Sequence, residues 1–132
     1  MVSAGASRGG QAIVELALAI FLLLLLALGI VQFGTLYSLK LRVEHAAGEG
    51  ARYAAIEMLH GATDSDIIQH TLAAATDLDP APTVTLNAPV RQGGEPVTIT
   101  VSYSYVPDVA IVGDIIGPMT LTGTAEGRLE AY

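Results

Sequence analysis

Glu15 opens an otherwise apolar stretch, residues 12–33, and nothing polar follows it between Leu16 and Val31. A stretch of this length is what a membrane-spanning helix needs, about 20 mostly apolar residues. An ionisable group inside a span costs about 2.5–3.5 kcal/mol at the helix centre and less near an interface, so Glu15 is a functional candidate. The chemistry open to a lone carboxylate in lipid is ion pairing. Just upstream lies Ser7-Arg8-Gly9-Gly10, ending in two glycines whose bare backbone can extend into a protease site. Cleavage after Gly10 would make Gln11 the new amino terminus. Its amine and the Glu15 carboxylate would then share one helix face, about 6 Å apart along the axis. The positive end of the helix dipole favours an acid there by about 0.3–1 kcal/mol. In helices stacked with a one-turn stagger, Glu15 of one subunit could meet the Gln11 amine of the next. Unit charges about 4 Å apart attract by about 4 kcal/mol at an effective dielectric of 20. The competing reading is that Glu15 marks the interfacial first turn of an ordinary span.

Other residue types that do chemistry are scattered. His45, His60 and His70 form no ligand spacing of the H-E-x-x-H kind. His45 and Glu49 share a helix face, yet two ligands without a third make no metal site. Asp64/Asp66 and Asp77/Asp79 could touch calcium, but both pairs fall where caps and turns favour aspartate. No nucleophile elbow, phosphate loop or dinucleotide fingerprint occurs, and Gly48-x-Gly50 lacks a third glycine. These features predict a non-enzymatic chain with no catalytic residue, no cofactor, no metal and no small-molecule substrate.

The elements that carry these residues must come from 132 residues with a net charge of −7 and no cysteine. About 100 residues remain outside the apolar stretch, enough for one small domain. Basic residues are too few and too dispersed for nucleic acid or for a polybasic lipid contact. Without cysteine there is neither a disulfide framework nor a thiolate metal site.

Three fates of the apolar segment compete. A cleaved secretory signal needs a core of 7–15 residues and a small-x-small site, for which Ala27-Leu28-Gly29 could serve. The apolar run nevertheless continues through Ile30, Val31 and Phe33. An uncleaved single-span anchor explains the length but not Glu15, and Arg8 on one side against Lys40, Arg42 and Arg52 on the other leaves its orientation open. A leader removed between Gly10 and Gln11 accounts for glycines, span and carboxylate together.

The run Arg8-Gly9-Gly10-Gln11-Ala12-Ile13-Val14-Glu15-Leu16-Ala17-Leu18 resembles the opening segment of TadE-like proteins, minor pilins or pseudopilins of tight-adherence (Flp-type) pilus systems. Gly29-Ile30-Val31-Gln32-Phe33-Gly34 and Ala46-Ala47-Gly48-Glu49-Gly50-Ala51-Arg52-Tyr53-Ala54-Ala55 resemble the family's remaining motifs. The likeness thus covers roughly residues 8–56. It implies cleavage between Gly10 and Gln11 by a prepilin peptidase and an assembly role for Glu15. It further implies a single-pass inner-membrane protein with its carboxy-terminal domain outside the cytoplasm, whose partners are other pilin subunits and the assembly platform. Gly48 departs from the pattern, since members often carry a larger polar or basic residue there.

Beyond the span, the absence of proline before Pro80 lets one helix continue to about Leu59 or His60. Leu36, Leu39, Val43, Ala46, Gly50 and Tyr53 make a stripe with three-four spacing, and Lys40–Glu44 and Glu49–Arg52 suit ion pairs on the wet side. Gly48 and Gly50 predict either tight packing or a bend. A second short helix should start at an Asp64 or Ser65 cap. Strands with alternating faces follow: Val84 and Leu86, then Val97, Ile99, Val101 and Tyr103, then Leu121, Gly123, Ala125 and Gly127. Turn residues 91–96 predict an antiparallel hairpin, and a helical turn is expected at Val109–Ile116. The expected organisation is a leader at 1–10, a transmembrane helix at 11–33, its extramembrane continuation at 34–60 and a small α+β domain at 61–132. The fold class is α+β, a long helix on a small antiparallel sheet, as in pilins.

Overall fold

The structure, a computed structural model, describes residues 6–107 and 117–131. Helix α1 (Ala6–Glu57) runs through two compact units, Met1–Tyr37 and Ser38–Tyr132. In the first unit it is long and apolar enough to cross a membrane, and none of its most apolar window is buried. Ile13, Leu22 and Phe33 are each about 70% exposed. Water would not tolerate a helix apolar on every side, whereas lipid satisfies both its side chains and its internally bonded backbone.

The second unit is built on the later part of α1, which tightens into a 3-10 turn at Met58–His60 and stops at Gly61, φ 107°. Helix α2 (Asp64–Ala73) follows, then strands β1 (Thr83–Asn87), β2 (Pro96–Tyr105) and β3 (Met119–Arg128). They form one antiparallel sheet in the order β1-β2-β3. Val101 sits between Val84 and Gly123, and Ile99 between Leu86 and Ala125, so the alternating apolar residues fall on one face. That face meets Val43, Ala46, Ala47, Ala51 and Ala54 of α1 and Ile67 of α2 in a single core. The expected α+β arrangement is therefore present. The helical turn expected at Val109–Ile116 lies outside the described residues.

Two local expectations are corrected. The cap of α2 is Thr63, not Asp64 or Ser65. Thr63 Oγ1 accepts the Asp66 N–H at 3.3 Å, and the Asp66 carboxylate takes the Thr63 N–H at 2.8 Å. This reciprocal box needs an acid three residues after the cap, which Thr63 has in Asp66, while Asp64 is drawn to Arg91 at 2.7 Å. The ion pairs among the described residues are Lys40–Glu44, Arg42–Asp77 and Arg91–Asp64. The expected Glu49–Arg52 pair is not among them: Glu49 is half-buried on the flank of the packed face and Arg52 points to solvent.

Candidate functional site

Gly9, Gly10, Gln11 and Glu15 all lie within α1, whose first described turn starts at Ala6. The two glycines are thus helical, and a Cβ added at either would meet nothing within 4 Å. Any protease that takes an extended chain must unwind this turn. Each glycine makes that easier by about 1 kcal/mol relative to alanine. Gln11 and Glu15 are four residues apart and both exposed, which puts them on one face of the helix. Residues 16–31 are exposed throughout, so the apolar surface is continuous around the helix. Gln32, in the second motif, is buried.

The third motif lies in the second unit and divides by direction. Gly50 is buried against α2, where an added Cβ would lie 3.0 Å from Thr71 Cγ2 and still closer to its Oγ1. Thr71 is fully buried, and its hydroxyl donates to the Ile67 carbonyl at 2.8 Å. Ala51 is buried beneath β3, its carbonyl 2.7 Å from where a Gly127 Cβ would be. About two turns earlier, the Val43 carbonyl stands 2.7 Å from the corresponding position at Gly123. Tyr53 stacks on His70 with centroids 4.1 Å apart and planes inclined by 14°. Gly48 and Arg52 point the other way, to solvent. The motif is therefore largely a docking patch by which α1 seats α2 and β3. Sequence reasoning left Gly50 between tight packing and a bend and did not identify its partners; the structure shows tight packing. The alternating small residues Gly123, Ala125 and Gly127 on the inner face of β3 were the available signal.

The remaining polar groups hold the unit together. Lys40 donates to the Thr122 carbonyl on β3 and lies 3.1 Å from Glu44. Tyr103 donates to the Asp79 carbonyl at 2.8 Å. Hydrogen bonds from the Thr63 side chain and backbone hold the Asp66 carboxyl below the usual carboxylate range. The carboxylates of Asp64, Asp66 and Asp77 thus each have a partner within the fold, and Asp79 contributes its backbone carbonyl. A cleft of about 270 Å³ is lined by residues that include Ser38, Leu41, Arg42, His45, Asp77 and Leu78. The Arg42–Asp77 ion pair, 3.3 Å, occupies its polar wall, and no nucleophile is paired with a base there. Among the described residues no three His, Cys, Asp or Glu side chains converge to hold a metal ion.

Residues 10–52, about a third of the chain, match the model of the TadE-like protein family. That interval opens at Gly10, includes Glu15 and the continuous apolar surface, and closes at Arg52. No curated protein and no solved structure matches the chain.

Proposed function

We propose that this chain, similar to TadE-like proteins over residues 10–52, is a non-enzymatic minor pilin or pseudopilin of a tight-adherence pilus system. A prepilin peptidase removes residues 1–10, leaving Gln11 as the first residue of a single-pass inner-membrane protein with its α+β unit outside the cytoplasm. The apolar surface of residues 16–31 then leaves lipid for contact with other pilin subunits or the assembly platform. Glu15 gives that contact its register by pairing with a Gln11 amine. The observation that carries this reading is a lone carboxylate at the head of an exposed apolar helix, five residues from the point where the family match begins.

The test is the mass of the amino-terminal peptide of protein purified from its own membranes. A Gln11 terminus supports the pilin reading. An intact Met1 or Val2 terminus overturns it in favour of an uncleaved single-span anchor presenting an extracytoplasmic interaction domain, and a terminus near Ile30 would mean release by a signal peptidase. Gly10 substitutions should block maturation. Glu15→Leu should leave membrane insertion intact and abolish incorporation; normal assembly from Glu15→Leu cells would refute the register role.

A further inference from the structure

We propose that a Gln11 terminus is chemically unstable and that Glu15 preserves it, the carboxylate one turn along α1 holding the terminal ammonium away from its own side chain. The inference rests on the cleavage proposed above. An amino-terminal glutamine can close on itself. Its uncharged amine attacks the side-chain carboxamide carbon, a new N–Cδ bond forms a five-membered lactam, and the bond from Cδ to the amide nitrogen breaks. That nitrogen leaves as ammonia, carrying off the proton shed by the attacking amine, and nothing is oxidised or reduced. The product terminus is neutral.

The consequence is unusually severe in this chain. Removal of residues 1–10 takes Arg8 with it, and the next basic side chain is Lys40. Cyclisation would therefore erase the one positive charge near a carboxylate at the head of the apolar helix. The same geometry supplies the protection. Cyclisation needs a lone pair on the amine, and an ammonium hydrogen-bonded to a carboxylate has none to offer. Glu15 is the only acid before Glu44, and it stands four residues from Gln11 on the same exposed face of a continuous helix. One side chain thus both uses the terminal charge and keeps it in existence. A subunit whose pair is broken loses that charge irreversibly.

The full chain is made with residues 1–10 replaced by a tag whose protease site leaves Gln11 first, so that exposure of the terminus does not depend on the native peptidase. After cutting in detergent micelles, the terminal peptide is followed by mass for loss of one ammonia. Glu15→Gln should cyclise faster than wild type by about threefold or more, and Glu15→Asp should stay near wild type. Equal rates in all three overturn the inference, as does a wild-type terminus found fully cyclised in its own membranes. A native protein that retains Met1 sinks the cleavage reading instead, and the micelle rates still decide what Glu15 does.

Discussion

Within α1 the largest apolar side chains are exposed and the apolar residues that are buried are small. Up to Tyr37 the helix carries Leu22, Leu23, Leu24 and Phe33, each more than half exposed. From Ser38 onward its buried positions are Val43, Ala46, Ala47, Gly50, Ala51, Ala54 and Ala55. The same backbone thus serves two solvents. In the second unit β3 comes so close at Gly123 and Gly127 that their backbones lie against the Val43 and Ala51 carbonyls, and the helix contributes small side chains to a core whose larger ones, Ile99 and Tyr103, come from the sheet. In the first unit bulk is the useful property, because large side chains spread apolar surface into whatever surrounds the helix. Side-chain size along α1 therefore reports the neighbour, not hydrophobicity as such.

The contrast can be broken most directly with a pair of truncations. Ile67→Ala removes a fully buried side chain from the core and should cost about 2–5 kcal/mol, whereas Leu22→Ala should change stability by less than about 0.5 kcal/mol. Thermal unfolding of the detergent-solubilised chain reads both, and equal losses would mean that the first unit has a packed interior of its own. Gly123→Val sharpens the point about backbone approach. Its side chain would run into the Val43 carbonyl and the Glu44 backbone, and the overpacking should cost about 1–3 kcal/mol, seen as protease sensitivity of the second unit.

Smaller effects belong to the helix ends and to the open face. Thr63→Ala should cost about 1 kcal/mol through loss of the α2 cap. It should also change the acid response. Because the Asp66 carboxyl is held low in the folded chain, the unfolded chain takes up its proton first as pH falls. The stabilisation is therefore complete above the unfolded value near about 4 and is lost as pH falls through the lower folded value. In Thr63→Ala this part of the acid-induced loss should shrink in a pH series of melting curves. Gly48→Ala, with open space around it, should stabilise by about 0.4–1 kcal/mol, opposite in sign to Gly50→Ala, whose Cβ would meet Thr71. Two losses of stability would place Gly48 at a contact as well.

Much of the second unit was legible because period-two alternation assigns a face to every strand residue. Val97, Ile99, Val101 and Tyr103 are all buried as the pattern required. The helix stripe was legible only in part. Ala47, Ala51 and Ala54 widen it because the partner is a sheet lying close along the helix, and no single-helix periodicity encodes how near a partner comes. The Thr63 cap was missed for a related reason. Thr63, Asp64 and Ser65 are all competent caps, and the choice among them turns on Arg91, distant in sequence, claiming Asp64. At the candidate site, the spacing of Gly10, Gln11 and Glu15 could be read directly, since helical geometry alone aligns residues four apart. The roles of Gly50 and Ala51 could not, because their partners Thr71 and Gly127 lie on other elements.

Lys40 carries a consequence beyond its bond to Thr122. β3 is the outermost strand on its side of the sheet, and it is ten residues long. A strand of that length at a border offers a template on which a foreign chain could add itself, the first step toward aggregation. A lysine ammonium seated on one of its carbonyls makes an incoming strand surrender a charge-assisted bond before it can pair. Wherever copies of the chain meet at high density, such a guard works against the addition of one sheet to the next.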